Sequence, residues 1–220
     1  SSRKIVQQYV PSNYGPSGVF NTIGGIGSSD FTSTFNAGIS ALTMRNTREV
    51  IACGPNKTAS ARSLADCQRI RDYVALGGVV IITLDGTSAN TITTSNNYHA
   101  AFGGTGTFTA GANPTTINST IPQSSTYWGT ANAGIALEGT GVSAEFSGSY
   151  SLPIGAQVLA TFTNGKPAVW TCGEGNRALF ICDDGLVDNA TYFTTSVVNT
   201  DQEKFFHNLL KNYILVHLGF

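Results

Sequence analysis

Residues 48–83 constrain the chain more than any other stretch. Val79-Val80-Ile81-Ile82-Thr83 is an unbroken β-branched run with no polar alternate to turn toward water. A strand of that kind has to be covered on both faces, which is the condition of a central parallel strand. Before it, Ser63-Leu64-Ala65-Asp66 has the form of a capping box with Asp in place of Glu. Leu64, Cys67, Ile70 and Val74 then recur at helical spacing, and Gly77-Gly78 supplies the stop. Arg48 to Cys53 reads as a strand ended by Gly54-Pro55. Strand, helix, glycine stop and buried strand form a βαβ unit. Such a unit predicts an α/β domain with a doubly wound, mostly parallel sheet.

The flanks extend that expectation. Lys4 to Val10 reads as the first strand, residues 11–30 as a loop, and Asp30 to about Ala41 as a short helix with Phe31, Phe35 and Ile39 on one face. Gln157–Thr163, Pro167–Cys172 and Arg177–Cys182 read as an antiparallel C-terminal meander, with Asn164-Gly165 as a two-residue hairpin turn. Thr200-Asp201-Gln202-Glu203 is a capping box, and Phe205, Phe206, Leu209, Leu210, Tyr213 and Ile214 follow as one apolar stripe. A chain of 220 residues fits one domain, 1–220.

Residues 86–151 break the pattern. Glu138 and Glu145 are their only charged side chains, among many Gly, Thr, Ser and Asn. Aromatic residues at intervals separate this stretch from a charged disordered tail. It reads as an ordered insertion of short strands and loops beyond the carboxyl end of the Val79–Thr83 strand.

Charged residues are 11% of the chain against 41% hydrophobic, with a net charge of −1. Soluble proteins carry about 25% charged residues, so neutral polar groups must build this surface. That composition points to an extracellular, cell-surface or virion setting. It lacks the basic footprint of a nucleic-acid binder; Arg62, Arg69 and Arg71 read as one solvated helix face. No apolar run reaches the roughly 18 residues of a membrane span. The Ser1-Ser2 start reads as a processed chain or a piece of a longer one. Cys53, Cys67, Cys172 and Cys182 show no zinc-ligand spacing. They read as buried thiols, with a Cys53–Cys67 bridge as the alternative.

Three stretches together resemble the class I glutamine-amidotransferase-like superfamily. They are Arg48–Thr83, the run Val158–Ile181 with its Gly-Lys-Pro and Gly-Glu-Gly-Asn-Arg turns, and Gln202–Ile214 with Phe205, Asn208 and Leu210. The resemblance implies a flavodoxin-like, glutamine-amidotransferase-like sheet. In the enzymes it also implies a Gly-x-Cys-x-Gly turn, where a helix N-terminus makes the thiolate acidic and exposed. The matching position here is Leu84-Asp85-Gly86-Thr87, without cysteine, and the His-x-Glu dyad is replaced by Asp183-Asp184-Gly185-Leu186-Val187-Asp188. The chain therefore resembles the non-catalytic branch. Cys53, one strand too early and followed by Gly54-Pro55, reads as a small buried residue.

The candidate sites follow from this. Ligands of open α/β sheets bind beyond the strand carboxyl ends, where Asp85 is placed as a weak catalytic candidate with His99. Asp183, Asp184 and Asp188 are weak metal candidates, since hard cations take six to eight oxygens, with turn formation as the plainer reading. Tyr127-Trp128 is a candidate binding pair for a sugar ring or a protein. The leading expectation is a structural or adhesive module, without catalysis or cofactor, that uses the insertion to contact protein partners, other copies of itself or a glycan. The alternatives are a hydrolase or transferase built on acids at the strand ends, and a carbohydrate-binding module.

Overall fold

The computed structural model describes residues 4–8, 31–33, 49–54, 61–112, 115–120, 134–137, 142–183, 200–209 and 213. Over these residues the chain forms β1 (Lys4–Gln8), β2 (Phe31–Ser33), β3 (Glu49–Cys53), α1 (Leu64–Ala75), β4 (Val79–Thr83), α2 (Ala89–Ala101), β5 (Thr105–Ala110) and β6 (Thr115–Ser119). It continues through β7 (Ile135–Leu137), β8 (Ala144–Ser151), β9 (Gln157–Phe162), β10 (Pro167–Cys172), β11 (Ala178–Ile181) and α3 (Asp201–Leu209). The βαβ unit of residues 48–83 forms as read. Ser63 caps α1 by accepting from the Asp66 amide, and all five residues of β4 are buried between β3 and β11, both parallel to it.

The sheet as a whole corrects the expectation of a doubly wound, mostly parallel fold. Its order is β2-β1-β3-β4-β11-β10-β9-β6-β7. The four ladders from β2 to β11 are parallel and the four from β11 to β7 are antiparallel. A separate ribbon of β5 and β8 is antiparallel too, so antiparallel pairing predominates, five ladders to four. The physical reason lies in the connections. A parallel pair needs a long crossover, usually a helix, whereas antiparallel strands join through tight turns. The meander β9-β10-β11 uses such turns. The expected insertion then gives β6 and β7 to the same sheet, where buried Ile117 pairs with Phe162 of β9 and with buried Ile135 of β7. Residues 86–151 are thus partly an extension of the main sheet.

Three local readings change. Phe31–Ser33, expected to open a helix, is an edge strand parallel to β1; the rest of that stretch lies outside the described residues. The hairpin after β9 turns one residue earlier than the Asn164-Gly165 reading. The Gly165 amide donates to the Phe162 carbonyl at 2.9 Å, which makes Thr163 and Asn164 the central pair. Gly165 follows with φ +82° as the left-handed bulge residue. This is the three-residue loop in which glycine takes the left-handed position.

The third change is α2, a helix inside the stretch expected to form short strands and loops. Its buried face is Thr91, Thr94, Ser95, Tyr98, His99 and Ala101, so it carries no apolar stripe to read. Threonine is also a poor helix former. The signal that marks it is its start. The Ser88 hydroxyl accepts from the Thr91 amide at 3.2 Å, and the Thr91 hydroxyl accepts from the Ser88 amide at 2.9 Å, a complete capping box.

The core is a column of rings. Phe180 stacks on Trp170 at 5.1 Å, Trp170 lies parallel to Phe108 at 6.5 Å, Phe108 stacks on Phe146 at 4.3 Å, and Phe146 stacks on Tyr150 at 4.3 Å. It runs from the main sheet through the ribbon to the half-exposed Tyr150. Because α2 has weak intrinsic propensity, its cap should matter more than usual. Ser88→Ala is expected to cost about 1 kcal/mol, read as a lower urea midpoint with an unchanged m-value.

Candidate functional site at the strand carboxyl ends

The carboxyl ends of β4 and β11 are where an open sheet would receive a ligand. Here the chain's own backbone occupies that position. The Leu84 amide donates to the Ile181 carbonyl at 2.7 Å, carrying the pairing past Thr83. The Gly86 amide then donates to Val142 at 2.6 Å, and the Ala144 amide donates to Cys182 at 2.7 Å. The segment entering β8 is therefore stitched across the strand ends. Gly86 is required by this approach: a Cβ there would stand 2.3 Å from the Ser143 carbonyl oxygen.

Asp85 sits inside this seam, fully buried. Its carboxylate accepts from the Thr87 amide, the arrangement of an Asx turn, and its backbone amide and carbonyl both meet the Ser95 hydroxyl at 3.4 Å. It turns the chain out of β4 toward α2. Asp183, two residues past the end of β11, is also buried. Asp184 and Asp188 lie outside the described residues, as do Tyr127 and Trp128. Among the described residues no three His, Cys, Asp or Glu side chains group as metal ligands.

His99 stands one turn beyond Ser95, with its ring directed into the column of aromatic residues. It meets Phe146 edge-on at 4.9 Å, Phe108 at 5.5 Å and Trp170 at 6.1 Å. Its Nε2 lies 3.1 Å from both the Thr105 and Ser151 carbonyls. Two carbonyl acceptors require Nε2 to carry the proton, which leaves Nδ1 as the unprotonated nitrogen, buried with no hydrogen-bond partner. Gly104 is fitted to the ring, since a Cβ would come within 2.1 Å of it. His99 thus closes the open end of the ribbon against α2, and its hydrogen bonds do not reach Asp85. The hydrogen bonds of Asp85 and His99 go to different partners.

Other groups are held in the same way. Arg62, expected on a solvated face with Arg69 and Arg71, is buried with its guanidinium 5.7 Å from the Tyr98 ring centre. Arg69 and Arg71 do lie at the surface, paired with Asp66 and Asp72. All four cysteines are buried free thiols, so the Cys53–Cys67 bridge is not formed. Burial pushes the Cys53 thiol up to about 11 against the opposing pull of Arg62, and pushes Cys67 and Cys172 up to about 12. Thiols of that kind are protonated and shielded near neutrality, the reverse of an activated nucleophile.

The ribbon's outer edges are also blocked. Asn96 on α2 accepts from the Phe108 amide at 2.7 Å, and the Lys166 ammonium donates to the Phe146 carbonyl. Unpaired edge groups invite strand addition, and side chains placed on them suppress it.

Among solved structures, this fold is similar to one described as "mmIFT52 N-terminal domain". The match has a TM-score of 0.62 and covers 96% of this chain and 96% of that chain, at 10% identity. At that identity the likeness is one of fold. No family model and no curated protein matches the chain.

Two measurements check this reading. Gly86→Ala should cost about 1–3 kcal/mol, the usual range for forcing extra volume into a packed site, seen as a lower denaturant midpoint. Burial lowers the His99 pKa below its ordinary 6.5, opposed by the bonds to Thr105 and Ser151. The unfolded chain therefore takes up a proton that the native state refuses. The His99 contribution is complete above pH 6.5 and is lost as pH falls from there toward the folded pKa. Thermal melting followed across that window should show an acid-side decline that His99→Gln flattens.

Proposed function

We propose that this chain is a non-catalytic structural module of an extracellular or virion assembly, with residues 86–151 supplying its contact face. The observation that carries the reading is the backbone seam over the carboxyl ends of β4 and β11. A hydrolase or transferase needs reacting groups that converge on space for a substrate. In this chain Asp85 is engaged in a turn, His99 in a ring cage, and the Ser95 hydroxyl with the backbone of Asp85. The resemblance to the glutamine-amidotransferase-like superfamily, without its nucleophile, agrees with a scaffold retained apart from that chemistry. The low charge of the chain agrees with an extracellular or virion surface.

The ribbon is the part of residues 86–151 most open to a partner. Thr105, Thr107 and Thr109 on β5 and Ser147, Ser149 and Ser151 on β8 are exposed, with Tyr150 half-exposed at the end of the ring column. Neutral hydroxyls on a ribbon with protected edges favour side-chain contact over strand addition, whether the partner is a protein, another copy or a glycan.

The test combines sedimentation of the purified chain with glycan-array and cell-binding assays. Self-association or specific binding that is weakened by Thr107→Lys with Ser149→Lys, at unchanged fold by circular dichroism, is the expected outcome. A monomer that binds neither glycans nor cells overturns the proposal. So does a hydrolytic activity abolished by Asp85→Asn.

A further inference from the structure

We propose that Asn164 is a site of spontaneous deamidation, held off by the native turn, and that its conversion to aspartate unfastens the ribbon from the β9–β10 hairpin. Asn164 and Gly165 are both exposed. Gly165 has no side chain to shield its backbone nitrogen, so this pair is open to attack wherever the turn is not held. In the reaction the Gly165 nitrogen gives its proton to solvent base and bonds to the Asn164 side-chain carbon. The bond from that carbon to Nδ2 breaks, and Nδ2 leaves as ammonia with a proton from water. Water then opens the cyclic imide at either carbonyl, giving aspartate or isoaspartate.

The folded turn opposes each part of this. The Gly165 amide is engaged with the Phe162 carbonyl at 2.9 Å. The Asn164 side-chain oxygen Oδ1 accepts from the Lys166 amide at 3.0 Å. The leaving nitrogen donates to Glu145 Oε2 at 2.9 Å. Reaction therefore requires the turn to open, and its rate follows the open population.

The same contacts set the consequence. Glu145 lies on β8, and its other oxygen accepts from the Ala112 amide at 3.3 Å. Asn164, Glu145 and Ala112 thus tie the hairpin tip to the ribbon and to the chain leaving β5. Conversion replaces a donor on Glu145 with a second carboxylate at hydrogen-bond distance, which repels it. The neighbouring Lys166 ammonium donates to the Phe146 carbonyl.

The experiment incubates the whole chain in mildly alkaline buffer, with and without urea. Peptide mapping then follows the amide-to-acid mass change and isoaspartate at Asn164. Conversion should run at least about tenfold slower in the folded protein, as an opening cost of about 1.4 kcal/mol would give. Equal rates, or no conversion in urea, overturn the site. Separately, Asn164→Asp should lower the melting temperature by about 2–4 °C, and adding Glu145→Gln should recover most of that shift. An unchanged melting temperature, or no recovery in the double variant, overturns the tie.

Discussion

The amide of Ala144 and the carbonyl of Cys182, 2.7 Å apart, join two parts of the molecule with different chemistry. On one side is a sheet whose central strand is apolar throughout. On the other is a ribbon built largely from Thr, Ser and Gly. Such a ribbon buries little of its own, and an isolated two-stranded hairpin is marginal in water. Its stability is borrowed from this junction, from the Gly86–Val142 bond beside it, and from the aromatic column crossing from Trp170 to Phe108 and Phe146. The same junction covers the strand ends where related architectures place ligands. One set of contacts therefore both orders the ribbon and closes the site.

Helix α2 shows how a neutral polar sequence serves inside such a structure. Its buried hydroxyls are bonded: Thr94 accepts from the Arg62 amide, Ser95 meets the backbone of Asp85, and Thr91 completes the cap. Each bond answers the desolvation of a buried polar group. The imidazole of His99 follows the same rule on its protonated edge and departs from it at Nδ1. Burial of that ring lowers its pKa, against the bonds to Thr105 and Ser151. The Gly104 and Gly86 positions show the matching constraint in the backbone, since a side chain at either place would collide with the group the glycine approaches.

The fold was legible wherever apolar periodicity was strong. Val79–Thr83, the Ser63 cap, the strands of the meander and the closing helix can all be read from residue spacing. The mostly parallel, doubly wound sheet was an extrapolation from one βαβ unit, and it failed where β6, β7 and the β5–β8 ribbon added antiparallel ladders beyond the expected meander. The candidate site was legible as a place, the Leu84–Thr87 turn, but not as a state. Asp85 at a strand end has one appearance in sequence whether it faces substrate or caps its own turn. His99 carried no signal of its role, because its partners are carbonyls at Thr105 and Ser151 and rings from three strands.

Sequence by itself determined the buried strand, the helix caps, the absence of a cysteine at the turn after β4, and the low charge of residues 86–151. Each is a property of residue type and local spacing. Tertiary structure alone decided that the insertion would divide, with β6 and β7 joining the main sheet and β5 and β8 standing apart. It also decided that the ribbon would lie across the strand ends. These outcomes depend on pairings between residues far apart in the chain, such as Ala144 with Cys182 and His99 with Ser151. Nothing in local periodicity encodes which distant carbonyl an amide will meet.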